Sequence, residues 1–363
     1  MGDRSDETPE TVDRLRPAPI VGNWTGGTIV PIDAQSPRAT ELMTQWTAVT
    51  REATEHLFGK DHPRAHVARL APPRAKEGQV AEFFLAVDHD GVAVGAGSVS
   101  VPGQTGPDDA EVLVSVLPSA RDGGIGRTLV AHGGQRALAH SCTRVVLDQS
   151  SPDPDGGPGA AFARAMGCRE VGLVLGSVLQ LPVDPDRLAA LEAEARAAYE
   201  NDYEIHTASG ELPESWLEER AALAGELSSQ APSGSIEHVG DTWDAERVRT
   251  LLMQWKSGGG NVVESVAFAR TPPAMVAYSD LVIYESNSHM ATQSDTLVLD
   301  EHRGRGLGPA VKVANLRALA EDFPQVQVIM TWTWADNTPM QAVNERLGFE
   351  TVEWTRLWAR DLG

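Results

Sequence analysis

Cysteine is nearly absent from this sequence: Cys142 and Cys168 are the only two in 363 residues. They cannot form a disulfide framework, and neither stands in a CxxC or Cys/His spacing. No metal is therefore expected, and a reducing cytoplasm is the expected setting. Long apolar runs are missing too. The longest, Val171 to Pro182, is interrupted by Gly and Gln and is too short to cross a bilayer. The opening MGDRSDETPE has neither a basic nor an apolar signal character, and Asp6 stands where a myristoylation motif needs Ser or Thr. No membrane partner is expected. Positive charge is also short, with 30 Lys and Arg against 51 Asp and Glu for a net charge of −21. Such a field repels phosphate backbones, so nucleic acid is not expected as a partner, and it suits neutral or cationic small molecules.

What remains is an ordinary globular composition, 41% hydrophobic and 22% charged. The chain is long enough for two domains at roughly 150 residues each. Residues 1–20 are polar with three prolines and read as a flexible tail. The pattern then predicts a helix at Arg38 to Leu57. Strands follow at Glu82 to Val87 and Val92 to Val101, joined by the turn Asp88-His89-Asp90-Gly91, and a third at Ala110 to Leu117. That strand feeds Arg121-Asp122-Gly123-Gly124-Ile125-Gly126, after which Ile125, Leu129, Val130, Gly133 and Ala137 recur at helical spacing.

Asp184 to Tyr199 reads as a bridging helix, and then the order restarts. A strand is expected at Tyr203 to Thr207, with helices at Pro213 to Leu227 and Asp244 to Trp255. Strands follow at Val262 to Ala269, Met275 to Tyr284 and Thr292 to Leu299. The last feeds Arg303-Gly304-Arg305-Gly306-Leu307-Gly308 and another helix-spaced set, Ala310, Val311, Ala314 and Ala318. Arg121, Gly124 and Gly126 precede Arg303, Gly306 and Gly308 by a constant offset, which marks an internal duplication. The expected organisation is a tail at 1–20, an N-terminal domain at 21–183, a linker helix at 184–202 and a C-terminal domain at 203–363.

A strand that turns directly into a helix leaves the first helical N–H groups unpaired at the positive end of the helix dipole, where they attract anions. Gly304, Gly306 and Gly308 clear side chains from such a start, and Arg303 and Arg305 add charge. The spacing fits neither a P-loop nor a GxGxxG fingerprint. Strand, R-x-x-G-x-G and helix together resemble the GNAT N-acetyltransferase superfamily. So do the later stretches Trp334-Ala335-Asp336-Asn337-Thr338-Pro339-Met340 and Asn344-Glu345-Arg346-Leu347-Gly348-Phe349. The layout is similar to tandem members such as the mycothiol synthases.

The resemblance implies an α/β fold of two tandem GNAT-like domains, each a mixed central sheet flanked by helices. It also implies acetyl-CoA as co-substrate. The diphosphate would rest on residues 303 to 308, Leu297, Val298 and Leu299 would line the thioester, and Asn337 would contact CoA or cap its helix. Arg121, Gly124 and Gly126 would form a second, degenerate or silent CoA site. The residue that is Tyr in many members falls on Asn344 here and on Ala163 in the first half, so no phenolic acid is expected. Gln293 stands where an acidic residue would align. Asp295, two positions on and thus expected on the same strand face, becomes the candidate base or substrate anchor, with His289 and His302 as further options. Trp332 and Trp334 alternate with threonines, which puts both indoles on one face; one is expected to pack in the core and the other to wall the acceptor pocket.

The resulting expectation is an acyltransferase moving acetyl from acetyl-CoA to a primary amine of a small molecule, catalytic in its C-terminal half and a monomer or homodimer. The alternative is a non-catalytic acyl-CoA-binding or scaffold protein. The run Gln149 to Pro158 is expected to be a loop replacing the Asn-led segment.

Overall fold

The computed structural model describes residues 21–67, 80–101, 109–230 and 242–362, so the expected tail lies outside the described residues. The N-terminal half runs β1 (Gly27–Ile32), α1 (Ala39–Phe58), α2 (Pro63–Val67), β2 (Val80–Asp88), β3 (Ala93–Val101), β4 (Asp109–Val116), α3 (Ile125–Ala139), β5 (Arg144–Ser151), α4 (Gly157–Ala165) and β6 (Arg169–Gln180). After α5 (Pro185–Tyr199) the order repeats as β7 (Tyr203–Ser209), α6 (Leu217–Gln230), α7 (Ala245–Ser257), β8 (Gly260–Arg270), β9 (Pro273–Tyr284), β10 (Met290–Val298), α8 (Leu307–Asp322), β11 (Val328–Trp334), α9 (Thr338–Leu347) and β12 (Glu350–Asp361).

Local chemistry sets the element ends. Asp88 Oδ1 accepts from Asp90 N and Val92 N and closes the first hairpin, with Gly91 at φ 82°. Asp184 caps α5 by accepting from Arg187 N at 2.8 Å, with Pro185 in the first turn; Asp244 caps α7 in the same way. Residues 149–158 do not form the expected loop. Gln149 to Ser151 continue β5, and α4 begins at Gly157, so only 152–156 connect them. The strand continues because Ser151 to Gln149 pair with Trp354 to Arg356 of β12.

All twelve strands form one sheet in the order β1-β2-β3-β4-β5-β12-β6-β11-β10-β9-β8-β7. At its centre each half lends its last strand to the other. β12 lies antiparallel between β5 and β6, and β6 lies antiparallel between β12 and β11. The exchange is held by apolar side chains. Trp358 of β12 is buried in the N-terminal core with Leu147, Ala163 and Cys168, and Leu179 of β6 is buried in the C-terminal core with Ile329, Leu347 and Phe349.

Helices α1 and α6 pack on one face, against Leu85 and Ala96 in the first half and Val266 and Tyr278 in the second. Helices α3, α4, α5, α8 and α9 cover the opposite face. The parallel pairs at the heart of each half are short. β4 and β5 pair only from Asp109 to Val112, and β10 and β11 only from Met290 to Thr292. Beyond these points the strands part, and each half opens a gap roofed by two helices.

Candidate active site

In the C-terminal half β10 ends in a 3-10 turn at Asp300–His302, and α8 starts at Gly306 in the left-handed conformation, φ 74°. Gly304 also has φ 74°. No side chain caps the helix, and no described carbonyl takes the N–H groups of Gly304, Arg305 or Gly306. The N–H groups of Leu307 and Gly308 belong to the first helical turn, which has no intrahelical acceptor. A Cβ at Gly308 would meet only Val298 at 3.8 Å, and one at Gly304 would meet nothing. A Cβ at Gly306 would lie 3.0 Å from Ala195 O, so Gly306 also admits the close approach of α5. Arg303 is half committed: its Nε donates to Val298 O at 3.1 Å and its Nη2 pairs with Asp300 at 2.8 Å. Arg305 lies 3.9 Å from Asp202 and its guanidinium sits over Tyr203.

The N-terminal half repeats this turn. Gly124 caps α3 at φ 88°, and Arg121 Nε reaches Val116 O at 3.4 Å. Two differences stand out. Asp122, at φ 65°, puts a carboxylate where the C-terminal turn has Gly304. At Gly126 a Cβ would touch the Phe162 ring of α4 at 3.3 Å, so that ring lies across the start of the first gap.

The second gap is lined differently. Helix α8 lies over β8, β9 and β10, and Asn344 of α9 donates to Thr333 Oγ1 of β11 at 3.3 Å. Between the two helices stands Lys312, 2% exposed, its ammonium 5.7 Å from the Phe349 ring just after α9. Burial pulls its pKa down to about 7 against the opposing pull of Asp280. Asn315, fully buried, donates to Ser279 O at 2.8 Å, yet its Oδ1 has no partner, and neither has Asn344 Oδ1. Buried polar atoms without partners are costly in a folded chain, so the two asparagine oxygens at this gap are open to a donor from a ligand.

Three expectations need correction. Gln293 and Asp295 do not share a face. The register between β10 and β9 slips between Gln293 and Thr296, a bulge that breaks the alternation of two. Gln293 Nε2 reaches Ser279 Oγ at 3.0 Å and Asp280 O, whereas Asp295 Oδ2 accepts from Tyr278 Oη at 3.2 Å on the neighbouring position. Secondly, Leu299 cannot offer its N–H to a thioester, because it donates to Val276 O at 3.0 Å. Alternation along the strand leaves the Val298 N–H on the gap side. Leu297 is buried against Trp216 and Tyr278. Thirdly, the two loop histidines are engaged elsewhere: His302 Nδ1 contacts Tyr203 Oη at 2.9 Å, and His289 Nδ1 lies 3.2 Å from Gln325 O.

The bulge is held from below by residues that sequence reasoning missed. Asp280 Oδ1 accepts the Asp295 N–H at 3.0 Å, while its Oδ2 has no partner. Burial and the Asp295 charge hold its carboxyl well above the usual range. Arg220 of α6, 3% exposed, lies 3.4 Å over the Tyr278 ring and donates to both oxygens of buried Glu264. The signal available in the sequence was an isolated charge inside each apolar run, as in Val311-Lys312-Val313.

Trp332 and Trp334 do point to one face, opposite Gly176 and Val174 of β6. Trp332 packs with Met290 and Met330, and Trp334 lies beside Val146 and Leu357. Asn337 caps α9 by accepting from Met340 N at 3.2 Å. On this same face the exchanged strand brings in Glu353, fully buried, with Thr355 Oγ1 at 2.8 Å and the Arg64 guanidinium at 3.4 Å. Asp148 of β5 stands nearby at the mouth of the first gap. It reaches solvent but is closely surrounded, and burial together with Glu111 holds its carboxyl up at about 6.

Comparison with known proteins agrees with this geometry. Residues 46–156 match the acetyltransferase (GNAT) family, and residues 289–359 match the FR47-like protein family. A tandem GNAT protein from the clavulanic acid biosynthesis pathway, solved without acetyl-CoA, is 25% identical. The alignment covers 93% of this chain and 98% of that one with a TM-score of 0.70. A GCN5-related N-acetyltransferase from Sphaerobacter thermophilus is 15% identical over 92% of this chain and 95% of its own, with a TM-score of 0.60. A GCN5-related glucosamine N-acetyltransferase region of a fungal multi-domain β-N-acetylglucosaminidase is 18% identical. That alignment covers 92% of this chain but 38% of the fungal one, with a TM-score of 0.58. None of the curated proteins compared matches this chain.

Proposed function

For this chain, a tandem-domain acyltransferase of the GNAT family, we propose transfer of an acetyl group from acetyl-CoA to a primary amine of a small molecule, carried out in the C-terminal half. The observation that carries the reading is the second gap. Parting strands, a glycine turn with unpaired N–H groups, two buried asparagines whose oxygens have no partner and a buried lysine meet in one place. These residues fit acetyl-CoA. The turn at 303–308 would take the diphosphate, with Arg303 and Arg305 as charged neighbours. Asn315 and Asn344 offer acceptors for the pantetheine amides, and the Val298 N–H is a donor for the thioester oxygen.

The acceptor side is the opposite face of the sheet, where Trp332, Glu353 and Asp148 surround the seam between the halves. Carboxylates there suit a cationic amine, in keeping with the net charge of −21. Once bound, the amine must lose its proton to attack. Asp295, tied to Tyr278 at the bulge, serves this reading as an anchor for the strand end.

The test is thiol release from acetyl-CoA across a panel of polyamines, amino sugars and amino acids. Amine-dependent release with a matching acetylated product supports the reading; retention of acetyl-CoA with no thiol from any amine overturns it.

A further inference from the structure

We propose that Lys312 donates the proton that the sulfur of coenzyme A takes up as it leaves, an inference that rests on acetyl transfer in the second gap. The chain has only four lysines, and this one is buried inside α8. Its ammonium reaches from α8 to within 5.7 Å of the Phe349 ring just beyond α9, between the two helices that roof the second gap. No described side chain or carbonyl hydrogen-bonds to it. The neighbouring Asn315 and Asn344 oxygens are also unpartnered, so Lys312 is not held in place by an internal ion pair.

The charged groups around it are engaged elsewhere, except for one oxygen of Asp280, which has no partner. From β9 it faces Asp280, which is occupied with the Asp295 N–H. Glu264 on β8 is neutralised by Arg220. Asp295 on β10 is turned to Tyr278. Around α5 and α9, the pairs Arg317–Glu192 and Arg346–Glu194 close on themselves at the surface.

The chemistry balances without any further reagent. The neutral amine attacks the thioester carbon, and the carbon–sulfur bond breaks with its electron pair on sulfur. The sulfur takes a proton from the Lys312 ammonium, and the new amide nitrogen loses its extra proton to water. Lys312 regains a proton from solvent as the thiol departs. Leaving a thiolate at the floor of a buried gap would be costly. A lysine titrating at about 7 is a stronger acid than a thiol near 8.5, so the transfer runs downhill by roughly 30-fold. Neither Asn344 nor Ala163 carries a titratable proton, so the two closing helices offer no alternative donor at that position.

The experiment measures kcat against pH for the full chain and for Lys312→Met and Lys312→Arg. The ratio of wild type to Lys312→Met isolates the lysine, because titration of the acceptor amine cancels. The expected ratio is about 100 at pH 6, falling through a midpoint near 7 towards 1 by pH 9. Lys312→Arg stays charged but cannot give up its proton to sulfur, so it should behave like Lys312→Met; an arginine variant that keeps wild-type turnover overturns proton donation. Methionine replaces the amine with an apolar chain of similar length, so the variant should unfold no earlier than wild type. A ratio that does not change with pH overturns the proposal. So does an acetyl group on Lys312 after incubation with acetyl-CoA, since the lysine would then be a nucleophile. A wild-type chain that releases no thiol with any amine overturns the transferase reading itself, and the proposal with it.

Discussion

The two halves share a fold and a glycine turn, yet their gaps are filled in opposite ways. In the N-terminal half Ile125 and Leu129 of α3 meet Ala160 and Ala163 of α4 in one apolar cluster, and the Phe162 ring lies against Gly126. In the C-terminal half the same space holds Lys312, Asn315 and Asn344. Hydrocarbon packed against hydrocarbon needs no ligand, whereas unpaired buried polar atoms lower stability until something binds them. Duplication thus kept the frame in both copies while the gap linings diverged, and on the proposed function the first half serves as scaffold and the second as site.

The strongest way to break that comparison is through what holds each frame. Both halves place a glutamate on the second strand of the unit opposite an arginine, but from opposite faces. Glu82 takes Arg136 from α3 near the surface, and Glu264 takes Arg220 from α6 in the interior. Glu264→Ala leaves a buried guanidinium without its partner and should cost about 3–5 kcal/mol. Thermal unfolding reads it, and a shift of the size expected for a surface pair would show the interior pair to be dispensable.

Binding comes next. Gly308→Asp puts a carboxylate into open space beside the unpaired N–H groups, without backbone strain, and should weaken acetyl-CoA binding by roughly 100-fold through repulsion of the diphosphate. Gly126→Asp in the N-terminal half should leave affinity for the proposed site unchanged. Calorimetric titration distinguishes them, and equal losses would give both halves a working site. Gly306→Asp is a poorer probe, because its φ of 74° and the nearness of α5 would strain the fold itself.

Much of this contrast is local and therefore legible in the sequence. The turn at 303–308 announces itself because a helix that starts straight from a strand needs glycine at positive φ, and the helix-spaced set from Ala310 follows at once. The caps at Asp184, Asp244 and Asn337 are local for the same reason. What stayed hidden depends on distant pairing. The exchange of β6 and β12 leaves no mark on either strand, since an alternating strand reads the same beside any neighbour. The bulge before Thr296 inverted the expected face of Asp295, because alternation assumes an unbroken register. Lys312 reads as one polar position on a helix until α9 closes over it.

A smaller effect separates the two turn arginines. Arg303→Ala should lower kcat/KM by about tenfold, the loss of one charge-assisted contact at a half-exposed position, since the guanidinium also clips the turn to Val298 O. Arg121→Ala should leave turnover within a factor of two. The reverse ranking would move the chemistry to the N-terminal half.

The smallest effect is a matter of pH and belongs to the N-terminal half. Arg136 donates to both oxygens of Glu82, and His140 Nε2 lies 2.7 Å from one of them. The hydrogen bonds from Arg136 hold the Glu82 carboxyl down at about 2. A carboxyl lowered by folding stabilises the fold fully above its unfolded value of roughly 4.3, and that contribution is lost as pH falls through 4 towards 2. Because the pair is partly open to solvent, screening reduces its worth to about 1 kcal/mol. Glu264 behaves in the opposite sense. Burial raises its pKa, so acid does not withdraw stability through it in this range. Glu82→Gln should therefore lower the urea midpoint at pH 7, by less at pH 3, and least near pH 2. A difference that persists unchanged to pH 2 would mean that Glu82 acts through packing, not charge, and that the N-terminal half has no acid-sensitive clamp.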